Sequence, residues 1–363
     1  MRISEIETPA ILIDVDIMEA NLRRVAAYSA DHGFRLRPHT KTHKIPLLGA
    51  KQLALGAAGL TVAKVGEAEV MVESGTPDLL VAYPVIGYSK LTRLMQVARK
   101  IQVTVALDSL TAATQLSGAA RLAQVQVGAL VEVDVGLGRV GVAPADLPAL
   151  AKAVGNLPHL EFLGFTFYPG HLKQMDEAGQ LAMKRLSELV AAMVGECRSA
   201  GMPARIVSGG STPALYHSHL VDWLTEIRPG TYIFNDRNTA DAGACDWTDC
   251  AATILTTVVS TRSGHMIVDG GSKTFSSDRT SVTGDPTFGL VREAPGALFH
   301  KMNEEHGYID LRRAERQDFA IGDHVRILPN HICVAMNLHE QVYGVRGEEV
   351  VEVWKVAARG KLQ

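Results

Sequence analysis

The chain has few cysteines, few aromatic residues and little net charge, and these absences exclude several kinds of protein. Its 363 residues include only four cysteines, and aromatic residues make up 6% of it. So few cysteines argue against a disulfide framework and favour a reducing compartment, which predicts a cytoplasmic protein. The net charge is only −3, and no basic stripe or tail is present. We therefore expect neither nucleic acid nor an anionic membrane as a partner.

Long apolar runs are also missing. No segment is long enough to span a bilayer, and residues 1–7 lack the apolar core of a signal peptide. What is present is a globular composition, with 47% hydrophobic and 21% charged residues. A chain of this length exceeds one ordinary hydrophobic core, so we expect two domains.

Short β-rich runs alternate with helical patterns through the first two thirds of the chain. Eight runs read as strands: 34–37, 59–63, 79–83, 101–107, 127–135, 160–167, 205–208 and 226–228. Helical patterns separate several of them, for example 144–154 and 176–200. Regular alternation predicts a parallel sheet, and eight units predict a (β/α)8 TIM-type barrel over residues 16–240.

The pattern changes after about residue 240. Short runs rich in Val, Ile, Leu and Thr follow one another without a long helical pattern between them: 251–260, 265–269, 324–328, 341–345 and 349–354. This predicts a mostly antiparallel β domain over residues 241–363. The chain is thus expected to be a barrel followed by a β domain.

In such a barrel the reactive groups lie where strands end. Lys41 follows the first strand, within Arg37-Pro38-His39-Thr40-Lys41-Thr42-His43-Lys44. An amine in this position can attack an aldehyde, although the same octapeptide can be a solvated basic loop. Arg139 follows the fifth strand, where it either reaches the barrel mouth or closes a turn at the surface. Tyr168 and His171 follow the sixth strand, and suit ring contact and proton transfer unless His171 is a solvent-facing loop residue.

Small residues follow the last two strands. Gly210, Ser211 and Thr212 come after the seventh strand, and Gly230 and Tyr232 come after the eighth. Backbone N–H groups and hydroxyls of this kind can bind a phosphate, as an alternative to a plain flexible turn. Phosphates often bind at this place in barrels. Phosphate-binding loops together with a lysine at a strand end suggest pyridoxal phosphate as the cofactor.

A second cofactor site is suggested in the β domain. His331 and Cys333 lie two residues apart in Pro329-Asn330-His331-Ile332-Cys333, and on a strand they would share a face. An imidazole and a thiolate together can bind a divalent metal, Zn or Mn, while a structural cysteine beside a hydrogen-bonded histidine is the alternative. Cys245 and Cys250 carry no such pattern and are expected to be ordinary residues at the domain junction.

Taken together, these motifs resemble the D-threonine aldolase and D-serine dehydratase family, the alanine-racemase-like fold type III of pyridoxal phosphate enzymes. The resemblance begins at Thr8-Pro9-Ala10 and also includes Asp134 to Gly141, Asp269-Gly270-Gly271 and Glu305-His306-Gly307.

The resemblance implies that the N-terminal strand, residues 1–15, joins the β domain. It implies Lys41 as the lysine bonded to the cofactor aldehyde, Arg139 beside the cofactor phenolate, and the Gly210–Thr212 loop and the Tyr232 region at the phosphate. It further implies His331 and Cys333 as metal ligands, and a homodimer.

The resemblance implies a lyase acting on D-3-hydroxy amino acids, with a preference for a dehydratase that converts D-serine or 3-hydroxy-D-aspartate to a 2-oxo acid and ammonia. Within the family, His-x-Cys after Pro-Asn is typical of dehydratases, whereas aldolases tend to have His-x-Asp, so Cys333 favours a dehydratase. His171 as a base for the β-hydroxyl would instead suit an aldolase, which yields glycine and an aldehyde. A more distant alternative is a pyridoxal-phosphate-binding protein without turnover, which the long β-rich stretch disfavours. A racemase would need a facing tyrosine base, for which the β domain offers no convincing candidate.

Overall fold

The computed structural model describes residues 1–280 and 287–363. They form two compact units drawn from interleaved stretches of chain. The β unit consists of Met1–Arg23, Thr42–Lys44 and Thr231–Gly360. The barrel unit consists of Arg24–Lys41, Ile45–Gly230 and Lys361–Gln363. The domain boundaries drawn from the sequence, 16–240 and 241–363, stay predictions.

The strands, in chain order, are β1 Ala10–Asp14, β2 Arg35–Leu36, β3 Leu60–Val62, β4 Asp78–Val81, β5 Gln102–Leu107, β6 Val127–Val133, β7 Leu160–Phe167, β8 Ile206–Gly209, β9 Glu226–Ile227, β10 Ala252–Arg262, β11 His265–Val268, β12 Gly289–Val291, β13 Leu298–Met302, β14 Gly307–Asp310, β15 His324–Pro329, β16 Gln341–Arg346 and β17 Glu349–Lys355. The α-helices are α1 Val15–Asp31, α2 Pro46–Ala54, α3 Val65–Met71, α4 Tyr88–Ala98, α5 Leu110–Ala123, α6 Leu147–Gly155, α7 Glu177–Ser199, α8 Arg237–Asp241, α9 Ser272–Phe275 and α10 Ile332–Leu338. Within the described residues, no helix combines the length and apolarity needed to cross a bilayer.

The barrel unit contains eight parallel strands in the order β2-β9-β8-β7-β6-β5-β4-β3. The two ends of this path meet in a parallel bridge between His39 and Thr61, supported by backbone hydrogen bonds from Thr40 N–H to Thr61 O and from Thr61 N–H to Pro38 O, both 2.8 Å. The predicted barrel is therefore confirmed. All carboxyl ends of the strands lie at one edge, which is where the sequence placed the reactive groups.

The barrel interior carries an ion network as well as apolar side chains. The guanidinium of Arg37, just after β2, donates from Nε to Glu226 in β9 at 2.7 Å and from Nη2 to Asp78 in β4 at 2.8 Å. Removal of one partner from a buried pair of this kind costs about 3–5 kcal/mol. The network therefore ties together strands on both sides of the point where the barrel closes.

The β unit is built on a nine-stranded sheet, in the order β13-β14-β11-β10-β1-β16-β17, with β15 paired to both β10 and β12. In the part of this unit that the structure describes, every pairing is antiparallel except that of β1 with β16. The mostly antiparallel domain is confirmed. Ile11 and Ile13 of the central strand β1 are fully buried, and burial of each such side chain contributes roughly 1.5–3 kcal/mol.

The structure corrects two expectations for this unit. First, strands β12, β13 and β14 were not predicted, because they are only three to five residues long and lack a long apolar run. Second, His331 and Cys333 do not lie on a strand. His331 is the extended N-cap of α10 and Cys333 is in its first turn. The spacing of Ile332, Ala335 and Met336, all buried, explains the helix, since it matches one helical face.

Candidate active site

Lys41 lies beyond the carboxyl end of β2, just after the bridge that closes the barrel. Its backbone N–H donates to Nδ1 of His39 at 3.3 Å, and its side chain is exposed. Pro38 and His39, two to three residues before it, are held by backbone hydrogen bonds to Thr61 and Pro229. The amine of Lys41 is thus carried by a fixed backbone at the edge of the barrel where barrel enzymes place their chemistry.

Arg139, Tyr168 and His171 lie together at the same edge, after β6 and β7. The Arg139 guanidinium carbon is 5.2 Å from the centre of the Tyr168 ring. A Cβ built on Gly136 would be 3.3 Å from Cε1 of His171, so the imidazole lies against the 134–138 loop. Gly136 has φ +119, a conformation that favours glycine.

The 134–138 loop is held in shape by Asp134. Its Oδ1 accepts hydrogen bonds from the backbone N–H groups of Gly136 at 3.0 Å and Gly138 at 3.1 Å. These donors lower the pKa of the Asp134 carboxyl. A charged Asp134 therefore fixes the turn against which His171 lies.

The loop after β8 has free donors. Gly210 has φ +95, and Ser211 and Thr212 are buried. Within residues 1–280 and 287–363, the backbone N–H groups of these three residues donate no hydrogen bond. The Ser211 hydroxyl accepts from Ala214 N–H at 3.3 Å. Free N–H groups in a buried loop are a ready anion site.

The second predicted phosphate segment is divided between the units. Gly230 is buried in the barrel unit, and Tyr232 is buried in a 3-10 turn, Thr231–Ile233, of the β unit. The role of Tyr232 at a phosphate stays a prediction.

Arg228, directly after β9, was not among the predicted site residues. Its Nη2 donates to Thr166 Oγ1 at 2.7 Å and to the Phe167 carbonyl at 3.1 Å, while its buried Nε has no partner among the described residues. Burial lowers the pKa of Arg228. Burial also raises the pKa of Glu132, and the charges of Arg228 and Arg139 act against that rise. An arginine immediately after a buried strand was the available sequence signal.

His331 and Cys333 lie side by side at the start of α10. Nδ1 of His331 contacts Oδ2 of Asp236 at 2.9 Å, and the Cys333 thiol donates to Thr42 Oγ1 at 3.2 Å. Thr42 directly follows Lys41 in sequence. The charge of Cys333, together with hydrogen bonds from His331 to Asp236 and Cys333, raises the pKa of His331 to about 11. The ring of His331 therefore lies among groups that favour its protonated form.

Asp236 is the residue that sequence reasoning missed. It is fully buried, and its Oδ2 accepts from both the His331 ring and the Ile332 N–H, the latter at 3.2 Å. Its Oδ1 accepts the Thr239 N–H at 2.9 Å and so caps α8. A carboxylate on one ring nitrogen orients the other toward a metal in many histidine sites. No local motif marks Asp236, because it is 95 residues from His331.

These residues fit the two expected groups. Among the described residues, no set of three or more His, Cys, Asp or Glu side chains forms a metal site. The imidazole of His331 and the thiol of Cys333 are donor types that a divalent metal takes, and with two protein ligands the remaining positions would be open to water and substrate. The free N–H groups of the 210–212 loop fit a phosphate, and the amine of Lys41 fits an aldehyde.

Known proteins resemble this chain over most of its length. The family model described as "Alanine racemase, N-terminal domain" matches residues 13–238, and a serine dehydratase domain matches residues 251–345. A D-threonine aldolase of Arthrobacter sp. is 33% identical over 99% of this chain and 94% of its own. A D-threo-3-hydroxyaspartate dehydratase of Delftia sp. (strain HT23) is 31% identical over 96% of this chain and 97% of its own.

Solved structures of enzymes with these activities also match this chain over nearly its whole length. The crystal structure of D-threonine aldolase from Filomicrobium marinum matches with a TM-score of 0.93 and 30% identity, over 100% of this chain and 98% of that one. A D-threo-3-hydroxyaspartate dehydratase variant with a cysteine changed to alanine, in the metal-free form, matches with a TM-score of 0.90 and 30% identity, over 98% of each chain. The chain therefore belongs to the alanine-racemase-like family of D-threonine aldolases and D-serine dehydratases, and is a pyridoxal-phosphate-dependent lyase.

Proposed function

We propose that this protein is a metal-dependent dehydratase of small D-3-hydroxy amino acids, which releases a 2-oxo acid and ammonia. The observation that carries the proposal is the pairing of His331 with Cys333, with Asp236 on Nδ1 of the histidine. The solved dehydratase variants support it, since one lacks a cysteine and is metal-free, and another lacks a histidine two positions before that cysteine. The histidine and the cysteine of that dehydratase are two positions apart, as are His331 and Cys333.

Each residue would have a separate task. The free N–H groups of Gly210, Ser211 and Thr212 would bind the cofactor phosphate, and Arg139 would interact with its phenolate oxygen. Lys41 would hold the cofactor through its aldehyde, and its amine would be the base that takes the Cα proton. When bound, pyridoxal phosphate supplies an electron sink at Cα, and a divalent metal supplies a Lewis acid for the β-hydroxyl.

Two further residues of the β unit contact His331 and Cys333. Asp236 keeps His331 in the tautomer with Nδ1 protonated, so that Nε2 is the nitrogen available to a metal. Thr42 accepts from the Cys333 thiol, and it is joined by one peptide bond to Lys41. We also expect a homodimer, on the family resemblance alone.

An aldolase is the second candidate, and a specific observation favours it. His171 is exposed at the carboxyl edge of the barrel, against Gly136, and could accept the proton of a β-hydroxyl. Removal of that proton would break the Cα–Cβ bond and give glycine and an aldehyde. The D-threonine aldolase relatives match this chain as well as the dehydratases do.

Product analysis separates the two candidates. The protein, loaded with pyridoxal phosphate and supplied with Zn²⁺ or Mn²⁺, would be offered D-serine, D-threonine and D-threo-3-hydroxyaspartate in parallel. Ammonia with a 2-oxo acid is expected. Glycine with an aldehyde or glyoxylate would show that the aldolase assignment is correct. The His171→Ala variant serves as the matched control, because it should retain elimination but lose retro-aldol cleavage.

A further inference from the structure

Cys245 and Cys250, which the sequence analysis placed at the domain junction, are brought together by the fold. They follow α8 in the β unit, and the side chain of Cys245 packs against an apolar cluster made by Ala240, Cys250 and Leu328. The two thiols lie within hydrogen-bonding reach of each other, and both are free. Cys250 is buried, while Cys245 is half-buried.

This thiol pair contacts the residues that position His331. The Cys250 thiol donates to the backbone carbonyl of Asp236 at 3.6 Å, and the Cys245 sulfur is hydrogen-bonded to the Thr239 side chain. Thr239 and Asp236 cap α8 through reciprocal hydrogen bonds, and the Asp236 carboxylate holds the His331 ring. A continuous path of hydrogen bonds thus runs from the thiols to the candidate metal site.

The two sulfurs are chemically unequal. The interaction between the two sulfurs lowers the pKa of Cys245, and the same interaction together with burial raises that of Cys250. The thiolate is the reactive form of cysteine, so the more accessible sulfur is also the better nucleophile. By contrast, burial raises the pKa of Cys197 to about 11, and this residue has no access to solvent.

We propose that Cys245 and Cys250 form a redox-active pair, whose oxidation to a disulfide by a peroxide weakens metal binding at His331 and Cys333. The Cys245 thiolate attacks the peroxide O–O bond, forms a sulfenic acid and releases hydroxide, which takes up a proton to become water. The Cys250 sulfur, losing its proton, then attacks the Cys245 sulfur, so that the S–S bond forms and water leaves. Two thiols are oxidised and one peroxide is reduced to two waters.

The disulfide acts on the metal site through Asp236. Oxidation removes the S–H donor from the Asp236 carbonyl and draws Cys245 away from Thr239. Loss of groups that orient a metal-binding histidine typically costs 10–100-fold in metal affinity. Because the disulfide acts one step further out than Asp236 itself, we expect a loss of about tenfold, at the lower end of that range. This coupling rests on the proposed function, whereas formation of the disulfide does not.

The test uses the full-length protein treated with hydrogen peroxide, followed by alkylation of free thiols and peptide mass spectrometry. A Cys245–Cys250 disulfide is expected, reversed by dithiothreitol, with Cys197 unmodified. If both cysteines are instead alkylated, or are linked to other cysteines, the redox pair does not exist. This result is obtained without any metal.

Zn²⁺ titration of the reduced and the peroxide-treated protein, both without alkylation, tests the coupling. The reduced protein should bind Zn²⁺ about tenfold more tightly than the oxidised protein, and the Cys245→Ser variant should bind equally before and after peroxide. Equal affinity of oxidised and reduced wild-type protein, or loss of affinity in the peroxide-treated variant, would refute the coupling. A reduced protein that binds no Zn²⁺ would contradict the proposed function instead, and that is seen before peroxide is added.

Discussion

Replacement of Asp236 by asparagine tests the least obvious part of the site. The asparagine can retain the Oδ1 bonds that cap α8, since asparagine and aspartate are about equally good N-caps. With an amide nitrogen in place of Oδ2, however, it can no longer accept the hydrogen bonds from His331 Nδ1 and Ile332 N–H. The ring therefore loses its fixed orientation and its negative partner.

The expected loss follows from the role of the carboxylate. Removal of a group that orients a metal-binding histidine typically costs 10–100-fold in affinity, which is about 1.4–2.7 kcal/mol. Isothermal titration of metal-free protein with Zn²⁺ measures this directly. Thermal unfolding would be measured in parallel, because a buried N–H left without an acceptor costs about 1–3 kcal/mol of stability.

Asp176 provides the matched control. It caps α7 by accepting the Gly179 N–H at 2.9 Å, as Asp236 caps α8, but it contacts no histidine in the described structure. Asp176→Asn should therefore change neither metal affinity nor activity. If Asp236→Asn binds Zn²⁺ as tightly as the wild type, Asp236 does not orient a metal-binding His331, and the assignment of the metal site fails with it.

Three further predictions concern the cofactors. Lys41→Ala should abolish lyase products and the covalent retention of pyridoxal phosphate after borohydride reduction, with Zn²⁺ affinity unchanged; retained activity would refute the role of Lys41. Gly210→Ala and Gly33→Ala both place a side chain at positive φ without a close contact, so each should lose about 1 kcal/mol of stability, while only Gly210→Ala should release pyridoxal phosphate more readily on dialysis. Because the pKa of His331 is raised to about 11, Zn²⁺ must displace a proton below that pH. Zn²⁺ affinity should therefore rise with pH between 6 and 9, by about tenfold per unit for each proton released, and the same affinity at every pH would exclude His331 as a ligand.

The position of most reactive groups could be predicted because a barrel places strand ends at one edge. Lys41, Arg139, Tyr168 and the Gly210–Thr212 loop each follow a strand that local composition identifies. For the helix at Ile332–Leu338, a short run with Val, Ile and Cys reads as a strand, and only its packing favours the helical face. His331 and Cys333 were therefore predicted as a pair for a geometric reason that proved wrong.

The sequence by itself determined the eight βα units, the β-rich second part and the order of the motifs, because these depend on local periodicity and on residues close in the chain. Only the tertiary structure decided which distant side chains meet. Asp236 contacts His331, which is 95 positions later in the chain. The Cys250 thiol contacts the Asp236 carbonyl because the segment after α8 returns to the beginning of that helix. Hydrogen bonds between residues far apart in the chain depend on how separate helices and strands pack. No local pattern of residue types determines how those elements pack.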